Sequence, residues 1–315
     1  MKDLRIVFMG TPDFAVGVLE KLLEAGCTVV GVITAPDRPA GRGRKVSESA
    51  VKSFAQSQGL NILQPTNLKS EDFLAALTQL KADLQIVVAF RMLPKAVWSM
   101  PRLGTFNLHA SLLPHYRGAA PINWAIMNGE TITGVTTFFI DEKIDTGAII
   151  ASEEICISPR ETAGSLHDRL MELGSALVVA TVEKIAKGTV QTTRQPESSS
   201  YKEAPKLSPE NTRIDWSCSV SQIDAFIRGL SPYPVAWTLL NNNGEELKVK
   251  IYEAMPENMT HDDSPGSIHT TKKELKVATK DGYLIIKELQ LPGKRRMPVA
   301  DLLNGFPIAE DAKMM

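Results

Sequence analysis

The first part of the chain alternates short apolar runs with longer amphipathic stretches, and this alternation limits the fold more than any other feature. The runs LRIVFMG (4–10), TVVGVIT (28–34) and DLQIVVAF (83–90) are rich in β-branched residues. Strands that helices cover on both faces have this composition. Between the first two runs lies PDFAVGVLEKLLEAG (12–26), which has helical spacing and opens with Pro and Asp, as helices often do. This order predicts βαβ units around a parallel sheet.

The pattern continues through residues 1–189 and predicts an α/β fold with a Rossmann-like, doubly wound, mostly parallel sheet. Three further runs are predicted strands: LNILQP (60–65), GTFNLHA (104–110) and ITGVTTFFI (132–140). Four stretches are predicted helices: SESAVKSFAQSQG (47–59), with Ser47 as N-cap, SEDFLAALTQLKA (70–82), GAAPINWAIMNG (118–129), and the long segment 161–188 that ends at Gly188.

The pattern changes after residue 189. Residues 190–208 are rich in Ser, Thr, Pro, Gln and Lys and have no apolar periodicity, which is typical of a linker. Beyond the linker, a short predicted helix (219–229) is followed by alternating runs that break at Asn-Asn-Gly and at Asp-Gly, the signals of β-hairpins. Residues 209–315 are therefore predicted to form a small, OB-like β-barrel domain.

Composition and charge describe an ordinary globular protein and exclude several function classes. The chain has 35 basic and 36 acidic residues and a net charge of −1, so local basic patches must meet any nucleic-acid partner. The cysteines lack CxxC spacing and the histidines lack metal-ligand spacing, so we expect reduced thiols and no metal site. We find no signal-peptide pattern and no membrane-spanning run, and we expect a cytoplasmic protein.

The turn after the first strand lies where dinucleotide-binding proteins carry a Gly-rich motif. Here Gly10 is followed by Thr11, Pro12 and Asp13. Pro12 has no backbone N–H to offer a pyrophosphate, and Asp13 adds a negative charge beside it. The sequence therefore favours a plain strand-to-helix turn over an NAD site.

A second candidate site lies at the end of GTFNLHA, where Asn107 and His109 are two residues apart. Side chains at i and i+2 of a strand share a face, and open α/β sheets bind ligands at the carboxyl ends of their strands. Pro114 excludes a helix after the pair and predicts a rigid loop. Asp145 precedes Thr-Gly in a later turn and could reach His109 across the crevice. From the residues alone, a structural His and an ordinary turn remain open.

An amide, an imidazole and a carboxylate together suit acyl transfer between two amines without a covalent intermediate. The Asn107 amide can donate a hydrogen bond to the oxyanion of a tetrahedral intermediate. His109 can take a proton from the attacking amine and give one to the departing amine. Asp145 would orient the imidazole and favour its protonated form. No nucleophilic side chain is needed.

The stretch NLHASLLPHYRGAAP (107–121), followed by IDTG (144–147), resembles the folate-dependent formyltransferase family. The resemblance implies 10-formyltetrahydrofolate as formyl donor, residues 1–189 as the catalytic domain, and Asn107, His109 and Asp145 as the catalytic group. The folate-binding loop it implies is Ser111, Leu112, Leu113 and Pro114. One departure is VVAFRMLP (87–94), which lacks the Gly of the longer form VVAYG seen in many members, near the expected pterin pocket.

Three other stretches resemble the members of this family that act on a charged tRNA: TAPDRPAGRGRK (34–45), LPKAVWSMPRLG (93–104) and YKEAPKLSPENTRIDW (201–216). The resemblance implies that the acceptor is the α-amine of methionine on initiator methionyl-tRNA, formylated for translation initiation. The tRNA-binding residues it implies are Arg38, Arg42, Arg44, Lys45 and Lys206, with Arg42 the most sensitive. From the residues alone, a solvated loop and an unengaged linker lysine remain open.

Basic residues also concentrate in the predicted barrel, which the resemblance implies to be a tRNA-binding domain. Residues 272–296 contain eight basic and three acidic residues. A groove that follows phosphates would account for this charge, and a solvated sheet face is the alternative. The eight basic residues are Lys272, Lys273, Lys276, Lys280, Lys287, Lys294, Arg295 and Arg296.

Three competing functions remain open. The first is formyl transfer to a small amine, such as glycinamide ribonucleotide or an amino sugar, which would not need the basic loop. The second is a non-catalytic RNA-binding protein on a Rossmann-like scaffold, which would not need the Asn-His-Asp set. The third is a nicotinamide oxidoreductase, which Pro12 disfavours. We expect a monomer that binds tRNA and folate and associates with no membrane.

Overall fold

The structure is a computed structural model that describes residues 3–40, 45–196, 198 and 200–315. Its strands are β1 (Arg5–Gly10), β2 (Thr28–Ile33), β3 (Arg38–Ala40), β4 (Lys45–Ser47), β5 (Ile62–Leu63), β6 (Leu84–Val88), β7 (Thr105–His109), β8 (Arg117–Gly118), β9 (Ile132–Phe139), β10 (Ile149–Cys156), β11 (Glu203–Ala204), β12 (Ala236–Asn242), β13 (Glu245–Glu257), β14 (Ile268–Thr270), β15 (Leu275–Ala278), β16 (Tyr283–Gln290), β17 (Met297–Pro298) and β18 (Lys313–Met314). Its helices are α1 (Asp13–Glu24), α2 (Ala50–Ser57), α3 (Glu71–Gln79), α4 (Lys95–Trp98), α5 (Pro121–Met127), α6 (Ala163–Ala186), α7 (Val220–Leu230) and α8 (Val299–Leu303), with a 3-10 helix at Glu210–Thr212.

The chain forms two compact units. The first comprises Met1–Gly118, Thr133–Ile155 and His167–Glu203. The second comprises Ala119–Ile132, Cys156–Leu166 and Ala204–Met315. The second unit therefore combines the C-terminal part of the chain with two earlier segments.

The first unit is built on a seven-stranded sheet with the strand order β10-β9-β7-β6-β1-β2-β5. Neighbouring strands from β5 to β7 run parallel, and β9 runs antiparallel to β7. Strand β6 and all but the first residue of β1 are buried, as expected of strands covered on both faces. This architecture confirms the predicted Rossmann-like fold, and every strand predicted before residue 141 is present.

Helices α1 and α6 cover the sheet with apolar faces. Phe14, Val18 and Leu22 of α1 recur at a spacing of about one helical turn and are buried. Helix α6 packs closely on β7, since a Cβ atom added to Gly174 would lie 2.8 Å from Cδ2 of Leu108. The long helix thus supports the strand that carries the candidate site. Among the described residues, no helix is both long enough and apolar enough to cross a membrane.

The start of α2 corrects one prediction, because Ser47 is not its N-cap. The helix begins at Ala50, and Ser49 caps it by accepting a hydrogen bond from Lys52 N at 3.0 Å. The Ser49 hydroxyl also bonds the hydroxyl of Thr34 at 2.7 Å, which ties the cap to the end of β2. Ser47 lies in β4, which pairs with β3. Two serines with equal capping preference stand two positions apart, so residue type did not separate them.

The second unit contains an antiparallel sheet with the strand order β14-β15-β16-β13-β12-β18, and β17 pairs with β16. A bridge between Ser267 and Lys313 links the two ends of the sheet, and Met314 N donates to Gly266 O at 2.9 Å. The sheet is thereby nearly closed into a barrel, which covers its edges. Both predicted hairpins form, as β12–β13 and β15–β16. The barrel-like C-terminal domain is confirmed.

The barrel packs around α7, which corresponds to the short helix predicted at 219–229. Ile223 and Ile227 of this helix share one buried cluster with Val249 and Ile251 of β13. The helix begins with a capping box on Ser219, whose hydroxyl accepts from the backbone of the third helical residue. Such a box satisfies two backbone donors that a helix start otherwise leaves unpaired.

A buried carboxylate joins α7 to an earlier segment of the second unit. Asp224 accepts hydrogen bonds from Arg160 Nη1 at 2.6 Å and from Arg228 Nε at 2.8 Å. Both arginines also donate to backbone carbonyls, Arg160 to Ala254 and Arg228 to Glu161. A buried carboxylate is tolerated when it is paired and hydrogen-bonded in this way.

Candidate active site

Asn107 and His109 lie on one face of β7, close to the carboxyl end of the strand. Asn107 pairs with Val87 of β6 on one side and with Phe138 of β9 on the other. Leu108 faces the opposite side, where α6 packs. Strand alternation therefore places the amide and the imidazole together. Both predicted residues occupy the edge of the sheet where α/β proteins bind ligands.

The imidazole of His109 is fixed through one of its two nitrogens. Nε2 lies 2.7 Å from the carbonyl oxygen of Tyr116. A carbonyl only accepts, so Nε2 carries a hydrogen in this arrangement. Nδ1 lies 3.8 Å from Oδ2 of Asp145, which is too long for a direct hydrogen bond. Nδ1 is therefore the ring nitrogen that is available to gain and lose a proton.

Asp145 is held by its surroundings in a constrained turn. Its Oδ2 accepts a hydrogen bond from Gly118 N at 2.9 Å. Its φ of +54° is uncommon for a residue other than glycine. At Gly147 a side chain has no room, because a Cβ atom there would overlap the carbonyl oxygen of Phe139. The Asp-Thr-Gly sequence thus brings a carboxylate to the imidazole across the sheet edge.

The amide of Asn107 has unused hydrogen-bonding capacity. Its Oδ1 is buried and has no hydrogen-bond partner. Buried polar atoms in proteins are nearly always paired, and an unpaired one calls for an explanation such as a bound ligand. The amide is therefore free to act on a molecule that enters beside His109.

The loop of residues 111–114 is tied to β9 through Thr136. The Thr136 hydroxyl donates to the Ser111 carbonyl at 2.7 Å and accepts from Leu113 N at 3.2 Å. The Ser111 hydroxyl donates to a carbonyl later in the same loop at 2.7 Å. Ser111 and Leu113 are buried, whereas Leu112 and Pro114 are half-buried. Of these four predicted residues, Leu112 and Pro114 thus retain apolar surface for a ligand.

Gln195 is a buried residue that connects two loops of the site and was not predicted from the sequence. Arg117 donates to Gln195 Oε1 through Nη2 at 2.6 Å and Nε at 3.2 Å. Gln195 Nε2 donates to the carbonyls of Asp145 at 3.0 Å and Gly147 at 2.8 Å. A single glutamine in a polar stretch gives no signal of such a role, because every partner is distant in the sequence.

The chain just after Gln195 also packs on the loop that follows β7. Tyr116 N donates to the carbonyl of Lys202 at 2.5 Å. The Arg117 guanidinium lies 5.7 Å from the centre of the Tyr201 ring, within the range of a cation–π contact. Part of the stretch that was predicted to be a linker is thus bonded to the first unit.

The segment 87–94, where the sequence departs from the family form, has an unusual backbone. Ala89 has a φ of +46°, a conformation that glycine adopts more easily. Arg91 donates to the carbonyls of Thr66, at 3.0 Å, and Pro65. Met92 is 66% exposed. The segment thus exposes the flexible apolar side chain of Met92, while Arg91 forms hydrogen bonds to the backbone of a neighbouring loop.

The predicted tRNA-binding residues are partly described by the structure. Arg38 is exposed in β3, and Lys206 is exposed in the second unit. Lys45 belongs to β4. Arg42 and Arg44 lie outside the described residues.

Asp37, the one acidic residue of the basic stretch 37–45, forms hydrogen bonds with residues outside that stretch. The carboxylate of Asp37 accepts hydrogen bonds from Lys52 Nζ at 2.5 Å and from Gln64 Nε2 at 2.7 Å. The bond from Lys52, followed by that from Gln64, lowers the pKa of Asp37. Asp37 thus pairs with Lys52, which lies outside the stretch and also pairs with Glu48 at 2.8 Å.

Two of the eight basic residues at 272–296 are paired within the second unit. Lys276 Nζ lies 2.6 Å from the Glu257 carboxylate, and this hydrogen bond raises the pKa of Lys276. Arg296 pairs with Glu288. The exposed remainder is Lys272, Lys273, Lys280, Lys287, Lys294 and Arg295.

Two sequence patterns of known proteins match the chain. The pattern described as Formyl transferase matches residues 4–182, and the pattern described as Formyl transferase, C-terminal domain matches residues 206–307. The methionyl-tRNA formyltransferase of Flavobacterium johnsoniae is 59% identical over 314 residues, and the match covers 100% of this chain and 100% of the relative. That of Bacteroides fragilis is 54% identical over 318 residues, covering 99% of this chain and 98% of the relative.

Solved structures share the fold. HypX from Aquifex aeolicus in complex with tetrahydrofolic acid has a TM-score of 0.65 at 21% identity, covering 96% of this chain and 47% of that chain. The N-formyltransferase from Helicobacter canadensis in complex with folinic acid and dTDP-3-aminofucose has a TM-score of 0.65 at 20% identity, covering 93% of this chain and 100% of that chain. At these identities the likeness concerns the fold alone.

Proposed function

This chain belongs to the methionyl-tRNA formyltransferase family, and we propose that it transfers a formyl group from 10-formyltetrahydrofolate to the α-amine of methionine on initiator methionyl-tRNA, for translation initiation. The names of the similar proteins support this acceptor, and the family supports a folate-derived donor. The observation that carries the proposal is the 3.8 Å approach of His109 Nδ1 to Asp145 Oδ2 beside the unpaired amide of Asn107.

The attacking group is the free α-amine of the aminoacyl ester. Ordinary α-amines have a pKa of about 7.7–8.0, so a neutral amine is available near pH 7. Its nitrogen forms a bond to the formyl carbon, and the carbonyl oxygen takes up negative charge. When the tetrahedral intermediate collapses, the bond to the folate nitrogen breaks. One proton must leave the attacking nitrogen and one must reach the departing nitrogen.

Asn107 would stabilise the oxyanion. Its side chain lies at the end of β7, and no hydrogen bond to its Oδ1 fixes the amide within the protein. The amide is thus free to present its N–H to the developing charge. A donor of this kind contributes about 3–4 kcal/mol to transition-state stabilisation in other acyl-transfer enzymes.

His109 would move the proton, and Asp145 would support it. The Tyr116 carbonyl holds Nε2–H, so proton exchange takes place at Nδ1. When Nδ1 is protonated, the resulting positive charge faces the Asp145 carboxylate at 3.8 Å. This attraction stabilises the imidazolium that forms between the two proton transfers. Gly118 N keeps the carboxylate in place without neutralising it.

Apolar side chains in the loops that follow β6 and β7 suit a folate. Leu112 and Pro114 offer half-buried apolar surface from the loop after β7. Met92 offers an exposed thioether from the loop after β6, and such side chains adapt well to aromatic rings. We propose that these three side chains contact the donor, while Ser111 and Leu113 keep the loop in shape.

The tRNA would be bound by Arg38, Arg42, Arg44 and Lys45 of the basic stretch, with Lys206 and the exposed basic residues of the barrel. Arginine forks bind phosphates and base edges, and lysines follow the phosphate backbone. Among the described residues the three cysteines form no disulfide, which supports the proposal that this reaction takes place in the cytoplasm.

A formylation assay tests the function. The full chain is incubated with 10-formyltetrahydrofolate and initiator tRNA charged with methionine, and the released amino acid is analysed by mass spectrometry for N-formylmethionine. Glycinamide ribonucleotide and a nucleotide-linked amino sugar are offered in parallel. We expect formylation of the charged tRNA at a far higher kcat/KM than of either small amine. Preferential formylation of a small amine would overturn the proposed acceptor, and His109→Ala controls for reaction without the enzyme.

A further inference from the structure

We propose that Gln195 is a positioning residue for formyl transfer. Its amide connects the turn that carries Asp145 to the loop that carries Gly118, and so sets where the carboxylate lies relative to His109. This inference rests on the proposed function and adds to it a residue from the stretch 190–208, outside the Asn-His-Asp group.

The hydrogen-bonding capacity of the Gln195 amide is used on both sides. Oε1 accepts two bonds from the Arg117 guanidinium, at 2.6 and 3.2 Å. The two hydrogens on Nε2 go to the carbonyls of Asp145 and Gly147, at 3.0 and 2.8 Å. The residue is only 4% exposed, so water competes little for these partners. A glutamine amide has this number of donors and acceptors, so its polar atoms are satisfied.

These bonds complete a ring of contacts that runs from Gln195 through Arg117 and Gly118 to Asp145 and back to Gln195. Arg117 directly precedes Gly118, whose N–H donates to Asp145 Oδ2 at 2.9 Å. Gln195 therefore binds the side chain of the residue that precedes Gly118 and also the backbone carbonyl of Asp145. The position of Asp145 relative to Gly118 is thus determined from both ends.

The backbone at Asp145 needs this support. With a φ of +54°, the residue is in a conformation that costs free energy for any side chain other than glycine. Without Gln195, the Asp145 and Gly147 carbonyls would lose their shared donor, and the turn could relax. A shift of about 1 Å in a catalytic group can lower the rate by about 100-fold.

Two substitutions separate the accepting and donating sides of the amide. Gln195→Ala removes both sides. Gln195→Glu keeps an acceptor for Arg117 but presents carboxylate oxygens to two carbonyls, so only the contacts to the Asp145 turn are lost. We expect both variants to lower kcat by about 10- to 100-fold, with KM for the formyl donor and for tRNA within about 2-fold of wild type.

A matched control distinguishes positioning from general destabilisation. Val178→Ala removes buried methyl groups from α6 in the same unit and should lower the unfolding midpoint while leaving kcat unchanged. If Gln195→Glu retained wild-type kcat, or if Val178→Ala lowered kcat as much at an equal loss of stability, the positioning role would be overturned.

A double-mutant cycle with Asp145→Asn gives the sharpest readout. If Gln195 acts through the carboxylate, Gln195→Ala should lower kcat in the wild-type background but by less than about 3-fold in the Asp145→Asn background. Equal losses in both backgrounds would overturn the inference. A wild-type chain that formylates a different amine would instead overturn the proposed acceptor, and the cycle is then run with that amine.

Discussion

His109 Nδ1 lies 3.8 Å from Asp145 Oδ2, and the same short loop holds both side chains. The Tyr116 carbonyl accepts from His109 Nε2, and Gly118 N donates to the Asp145 carboxylate. Because two residues of one loop fix both partners, the gap between them is set locally. Nε2 makes a structural hydrogen bond to the Tyr116 carbonyl, whereas Nδ1 can exchange a proton with a substrate.

Replacement of Asn107 is expected to separate activity from stability. Asn107→Ala removes the proposed oxyanion donor, so kcat should fall by about 10²–10³. The free energy of unfolding should change by less than about 1 kcal/mol, because Oδ1 has no hydrogen bond to lose. Steady-state formylation kinetics and urea unfolding measure the two quantities.

Asn123 provides the matched control for this prediction. Its Nδ2 donates to the carbonyl of Gly229 at 2.7 Å within the second unit. Asn123→Ala should therefore destabilise the protein by about 1 kcal/mol, since it leaves a carbonyl without its donor, and should leave kcat near wild type. A loss of activity in Asn123→Ala equal to that in Asn107→Ala would contradict the assigned role of Asn107.

Gly147 is expected to be irreplaceable in the turn that carries Asp145. In Gly147→Ala the new methyl group would overlap the carbonyl oxygen of Phe139, so the turn must move and take the carboxylate with it. We expect kcat to fall by about 100-fold and the protein to lose about 1–3 kcal/mol of stability. Gly305→Ala is the control, since a Cβ atom there meets nothing within 4 Å. An active Gly147→Ala variant would show that the turn does not set the site.

The strands that could be predicted from the sequence are those that are buried in the sheet, because burial requires a run of apolar residues. DLQIVVAF became β6, which is buried throughout because helices cover both faces of the sheet. No bounds were predicted for strand β10 (Ile149–Cys156), because it lies at the sheet edge and exposes its glutamates. An exposed edge strand needs little apolar sequence, so its pairing cannot be read from its own residues.

The candidate site also has one part that could be predicted from local sequence and another that could not. The period of a strand is local, so the shared face of Asn107 and His109 follows from their spacing. The distance from His109 to Asp145 depends on how two loops pack, and the sequence offered it only as a possibility. Gln195 could not be predicted at all, since each of its four hydrogen bonds reaches at least 48 positions along the chain.

The basic stretch should act on tRNA binding and leave the formyl donor unaffected. Arg42→Ala should raise KM for charged tRNA, leave KM for 10-formyltetrahydrofolate unchanged, and reduce the salt slope of tRNA binding by about 1, as expected when one phosphate contact is lost. Lys187→Ala, which removes an exposed charge near the end of α6, is the control for net charge. Equal effects of both substitutions would reduce the role of Arg42 to general electrostatic attraction.

The barrel contains a hydrogen bond whose contribution should depend on alkaline pH. The Tyr283 hydroxyl donates to Asp263 Oδ2 at 2.5 Å, and this bond, with burial, raises the pKa of Tyr283 to about 12. The folded state therefore favours the neutral phenol, so the stabilisation is complete below about pH 10, the ordinary tyrosine pKa, and is lost as pH rises towards 12.

Tyr283→Phe should lower the urea midpoint at pH 8, and the difference from wild type should shrink above pH 10. Tyrosinate absorbance should lose its latest-titrating component in the variant. A difference that stays constant from pH 8 to pH 11 would show that the bond to Asp263 does not govern this titration.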